Sequence, residues 1–196
     1  MILFLVRHGQ TDWNKEKRIQ GLQPVPLNEE GFAQAKKLAD FFKNIELDCI
    51  IASPLERTMQ TAEVISGATS VPIQTDSAFQ DRAHGDHEGL LGEELRKLIP
   101  DLKVQWAKAG IDWTRGGVET VRDLQLRVRK GFDELLRAHK GETVLIVTHD
   151  IIIKSIVHYL HNGKLETVFE RESVDNAGII KAELKNGKWI VESVSQ

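Results

Sequence analysis

The sequence predicts an α/β domain built on a mostly parallel sheet, and three observations predict it. Strand-like and helix-like segments alternate along the chain without low-complexity linkers or repeats. The strand-like segments are short continuous apolar runs, as expected where helices cover both faces of a sheet. The chain has 196 residues, 41% hydrophobic and 28% charged, enough for one domain with a sizeable core.

The elements follow in order. Ile2–Val6 reads as the first buried strand, and Asp48–Ala52, Val71–Thr75 and Thr143–Thr148 complete four core strands. Between the first two, NEEGFAQAKKLADFFKN puts Phe32, Ala35, Leu38, Ala39 and Phe42 on one stripe. Asn28 is its cap, and Leu27 and Phe32 form a hydrophobic staple. A second long helix spans about Glu119 to Lys140, with Val121, Leu124, Val128, Phe132, Leu135 and Leu136 inward. Its Lys and Arg residues in LRVRKGF read as a solvated face, and Glu119 as a carboxylate favouring the helix N-terminus rather than a partner of Arg127. Residues 79–118 are less regular and read as an excursion over one edge of the sheet. Trp106 and Trp113 within it serve equally well as packing anchors or substrate contacts. AGIIKAEL and KWIVESV flank Asn186 and Gly187, the pair that suits a type I′ hairpin turn.

Charge and cysteine usage narrow the function. A formal net charge of −3 lacks the basic excess of a nucleic-acid or acidic-membrane surface, so an anionic ligand has to be held locally. The single cysteine, Cys49, excludes a disulfide framework and a cysteine-based metal cluster and reads as a small core residue. The first apolar run is too short for a secretory signal or membrane span, which predicts a cytoplasmic protein. A homodimer is compatible with this composition.

Polar chemistry gathers where strands end. In open α/β sheets ligands bind beyond the carboxyl ends of the strands. Arg7 and His8 follow the first strand, SPLERTMQTA follows the second, and His149 follows LIVT. Ser53 reads as an N-cap and Pro54 as the first helical residue, which puts Arg57 in the opening turn of a helix. Two guanidinium groups beside two imidazoles repel one another unless an anion lies between them, and phosphate matches that geometry.

RHGQTDWN, the spacing to QGLQPVPLNEEGFAQA, then SPLERTMQTA, HGDHEG and VTHD, in this order, resemble the histidine phosphatase superfamily, also called the phosphoglycerate mutase-like family. The resemblance covers nearly the whole chain. It implies a three-layer α/β/α sandwich around a mixed sheet, parallel except for one strand. It makes His8 the nucleophile that becomes phosphohistidine, with Arg7, Arg57 and His149 holding phosphoryl oxygens and Asn14 and the loop near Thr11 assisting. Gly9 would let the main chain approach the phosphate, and Gln20, Gly21 and His84 would contact substrate. A neutral imidazole with its second nitrogen bonded to a backbone carbonyl suits the nucleophilic role.

The catalytic acid falls on Asp81, where the family usually has glutamate, with Glu88 as the rival carboxylate assigned to structure. Pro24, Val118 and Asp150 also depart from the common pattern, Asp150 reading as the cap of a helix beginning near Ile151. No cofactor or metal is implied, since HGDHE offers His84 and His87 without a third ligand. The expectation is a metal-independent phosphomonoesterase acting on a small metabolite, with phosphoserine, α-ribazole phosphate or a broad range as candidates. A cofactor-dependent phosphoglycerate mutase is the alternative enzyme, and a catalytically weak phospho-ligand sensor the alternative from another class.

Overall fold

The computed structural model describes residues 1–164, 167–168 and 172–194. Six strands form one sheet: β1 (Ile2–Arg7), β2 (Cys49–Ala52), β3 (Ile73–Thr75), β4 (Thr143–Thr148), β5 (Ile179–Lys185) and β6 (Lys188–Val194), in the order β3-β2-β4-β1-β5-β6. The pairs β3/β2, β2/β4 and β4/β1 are parallel, and β5 runs antiparallel to both β1 and β6. Only β5 therefore opposes the common direction, as the resemblance implies.

Alternation along the strands divides the core. Leu3, Leu5, Cys49, Ile51, Val144 and Ile146 face one side, against α6 (Val121–Ala138) and α7 (Asp150–Leu160). Phe4, Val6, Ile50, Ala52, Leu145 and Val147 face the other, against α2 (Glu29–Phe42) and α3 (Glu56–Thr69). The result is a three-layer α/β/α sandwich. Leu38 and Phe42 are wholly buried in the second layer, each contributing roughly 1.5–3 kcal/mol by area burial. Cys49 is a buried core residue.

Local structure follows sequence chemistry with specific departures. Asn28 caps α2 by accepting from the Gly31 amide at 2.9 Å. Phe32, however, is 38% exposed, and Gly31 takes its place on the buried face. A side chain at Gly31 would overlap the Gln10 carbonyl, so the close approach of α2 to the loop after β1 sets the helix rotation. The third predicted core strand shrinks to Ile73–Thr75, because it lies at the sheet edge and pairs only with β2. Thr120 caps α6 by accepting from the Asp123 amide, which leaves Glu119 ahead of the helix. The hairpin turns at Asn186 and Gly187, with φ of 50° and 75°, as a type I′ turn requires.

Residues 79–118 contain two short helices, α4 (Gly92–Leu98) and α5 (Leu102–Ala109), packed on a separate small cluster of Ile99, Trp113 and Val118. The short helix α1 (Asp12–Glu16) follows β1. Among the described residues, no helix is long and apolar enough to cross a membrane.

Candidate active site

Three parallel strands deliver the site at their carboxyl ends. β1 ends at Arg7 and hands on to His8, β2 hands on to Ser53 and α3, and β4 hands on to His149. A cleft of about 250 Å³ lies there, lined by Arg7, His8, Asn14, Gln20, Gly21, Asp81, His84 and His149 among others. Residues more than a hundred positions apart thus share one surface.

The His8 ring is 3% exposed, and its Nδ1 lies 2.7 Å from the Gly9 carbonyl oxygen. A carbonyl only accepts, so Nδ1 carries the proton and Nε2 keeps the lone pair. Burial, then Arg57 and Arg7, hold the His8 pKa well below its ordinary value, so the ring is neutral near pH 7. The His149 ring centroid lies 5.3 Å from that of His8. His149 Nε2 meets Ser53 Oγ at 2.9 Å, while its Nδ1 has no hydrogen bond among the described residues and lies 3.5 Å from Asp81 Oδ2. Burial first, with Arg57, His8 and Arg7 adding to it, pushes the His149 pKa down as well.

Arg57 is completely buried. Its Nη2 donates to Gly21 O at 2.8 Å and to Asp81 Oδ2 at 2.9 Å, and its Nη1 donates to Gln23 O at 3.1 Å. Arg7 Nη1 donates to Val174 O at 2.7 Å. In both arginines Nε is buried without a partner among the described residues. Asp81 also accepts the Arg82 amide at 2.9 Å. Burial raises the Asp81 pKa against the opposing pull of Arg57.

Several expectations change at this level. The cap of α3 is Leu55, not Ser53, and the helix starts at Glu56 rather than Pro54. The Ser53 hydroxyl instead meets His149, while Arg57 stays in the first turn. Gly9 closes on α2: a Cβ there would stand 2.5 Å from Gly31 O. Thr11 caps α1 through Asn14, and neither Gly9 nor Thr11 lines the cleft. His84 does line it, as expected, and burial and Arg82 push its pKa down to about 4. Asp150 is the first residue of α7, with His149 at the cap position. Its carboxylate accepts the Val174 amide at 2.8 Å and pairs with Lys154 at 3.0 Å. Glu88 is engaged by the Leu22 and His84 amides and by Gln23 Nε2, at 3.0, 2.9 and 2.8 Å.

Two further contributors escaped the sequence reading. Asn176 Nδ2 donates to His8 O at 3.1 Å and to Asn14 Oδ1 at 3.2 Å, tying the loop after β1 to the segment before β5. The carboxyl ends of parallel strands point only to the residues that follow them. An antiparallel neighbour begins at the same edge, so the residues entering β5 reach the site too. Arg127 is no solvated side chain, and Glu119 is its partner: the pair is only 21% and 17% exposed at the side chains, 2.8 Å apart. Glu119 lies in extended chain before the helix and folds back over its first turns, a return that helical spacing does not show.

A family model described as histidine phosphatase superfamily (branch 1) matches residues 3–196. The chain is 32% identical over 188 residues to a Bacillus subtilis protein named uncharacterized phosphatase PhoE, covering 96% of this chain and 91% of that one. It is 32% identical over 154 residues to phosphoserine phosphatase 1 of Hydrogenobacter thermophilus, covering 79% and 73%. The solved structure of Bacillus stearothermophilus YhfR matches with a TM-score of 0.88 at 30% identity, over 98% of this chain and 95% of that chain. A family match over nearly every residue, together with the shared sandwich, means that the chain belongs to branch 1 of the histidine phosphatase superfamily.

Proposed function

We propose that the chain hydrolyses phosphomonoesters of small metabolites through a phosphohistidine on His8. The observation that carries this reading is the bond between His8 Nδ1 and Gly9 O at 2.7 Å, which leaves Nε2 as the nucleophilic nitrogen of a neutral ring. The Nε2 lone pair attacks phosphorus as the bond to the ester oxygen breaks. The resulting imidazolium keeps its Nδ1 proton and is stabilised by the Gly9 carbonyl. Arg7 and Arg57, each with an Nε that has no hydrogen bond among the described residues, and His149, whose Nδ1 likewise has none, supply donors to the phosphoryl oxygens. Asn14 Oδ1 is engaged by Thr11 and Asn176, which turns the amide NH₂ toward the anion.

Asp81 gives its proton to the departing alkoxide. It then takes one from the water that cleaves the N–P bond, which returns His8 to neutrality and Asp81 to its acid form. Its raised pKa supports this role, and a bound phosphoryl dianion raises it further. Charge neutralisation by the two arginines needs no divalent ion, so activity should survive EDTA, and vanadate should compete with substrate. The test is rapid quenching during p-nitrophenyl phosphate turnover. Acid-labile phosphate on His8, absent in His8→Ala, is expected. Phosphate on a serine or aspartate, or activity restored only by a metal ion, would overturn the reading.

A further inference from the structure

A second cavity, of about 410 Å³, lies within the excursion beside the cleft. Ile19 and His84 line both spaces, so the two adjoin at those side chains. The backbone links them as well: Asp81 lines the cleft and the next residue, Arg82, lines the cavity.

The cavity walls are partly aliphatic, with Ile19, Leu95 and Leu102, and partly aromatic. The rings of His87 and Trp113 stack at 6.1 Å with 28° between planes, and Trp106 stands 5.9 Å from Trp113 at 51°. Flat unsaturated groups pack on such walls with a gain beyond simple area burial. Arg82 is only 6% exposed, and its guanidinium lies 5.8 Å from the centre of the Trp106 ring. Its Nε donates to Glu119 O at 2.7 Å, but its Nη2 is buried without a partner among the described residues. A buried donor left unspent is costly unless a guest supplies an acceptor. Packing accounts for Trp113, which belongs to the small cluster with Ile99 and Val118, and for one face of Trp106, which lies against that cluster. It does not account for a ligand-sized space walled by a guanidinium with a donor to spare.

We infer that this cavity receives the alcohol part of the substrate, and that this part carries an aryl or heteroaryl ring with an acceptor at its edge. The inference rests on the phosphatase reading: with phosphorus at His8 and the ester oxygen at Asp81, the alcohol extends past Asp81 toward Arg82.

Calorimetric titration with two inert phosphonates tests it without turnover. 2-Phenylethylphosphonate should bind about 10-fold or more tighter than ethylphosphonate, the gain expected for burying one ring. Trp106→Ala removes a wall and Leu102→Trp fills the space, so both should bring that ratio close to one. Equal affinities in the unaltered chain, or a ratio that both variants leave intact, would overturn the subsite alone. If neither phosphonate nor inorganic phosphate binds, the phosphatase reading falls with it.

Discussion

Arg127 grips Glu119 through two hydrogen bonds of 2.9 and 2.8 Å, although eight residues separate them. The same guanidinium donates to the carbonyls of Ala78, Gln80 and Asp81 at 2.9, 3.0 and 3.3 Å. It therefore holds the turn that carries Asp81, without lining the cleft itself.

Arg127→Lys keeps the charge and loses the fork, so it should loosen the Asp81 turn. Turnover of an alkyl phosphate should fall by roughly 10-fold to 10²-fold, the cost of a misplaced group. p-Nitrophenyl phosphate, whose leaving group needs little protonation, should suffer much less. Equal losses on both esters would mean that Arg127 acts on general stability instead.

Asp81 and Glu88 should separate by leaving group. Asp81→Asn should slow alkyl esters by on the order of 10² while sparing the first step with p-nitrophenyl phosphate, and phosphoenzyme should persist. Glu88→Gln turns one acceptor into a donor facing amide donors, so it should mainly lower the melting temperature, at a cost of roughly 1–3 kcal/mol. The reverse pattern would move the acid to Glu88.

The pH profile should depend on the ester. His8 titrates well below its ordinary value, and burial raises Asp81 above its own. On the proposed mechanism an alkyl ester needs His8 neutral and Asp81 protonated, so its kcat/KM should fall as pH rises past the raised Asp81 value. The alkaline fall should be shallower with p-nitrophenyl phosphate and absent in Asp81→Asn. An identical alkaline limb in Asp81→Asn would contradict this.

Acid should destabilise the fold early. His8, His149, His84 and His87 are all held below 6.5, His84 at about 4, whereas the unfolded chain protonates them near 6.5. The unfolded state then binds more protons, and stability present above that value is lost as pH falls toward the folded values. Asp81 has the opposite sign, its raised pKa favouring the fold at lower pH, but it is one group against four histidines. Thermal melts between about pH 7.5 and about pH 5 should show a falling midpoint. A flat or rising midpoint would refute the balance.

By itself the sequence determined the alternation of elements, the apolar strands, the cap at Asn28, the hairpin at Asn186 and Gly187, and the convergence of Arg7, His8, Arg57 and His149 at strand ends. Each is a local signal: a side-chain period, a cap, a turn pair, or a polar residue just after an apolar run. Only the tertiary structure decided which donors face which acceptors. The rotation of α2 depended on Gly31 meeting the Gln10 carbonyl, and the partner of Arg127 depended on chain folding back before α6. The reach of Asn176 into the site depended on β5 entering antiparallel beside β1. These relationships join segments through space, where close packing and hydrogen-bond geometry choose among partners that sequence spacing leaves equivalent.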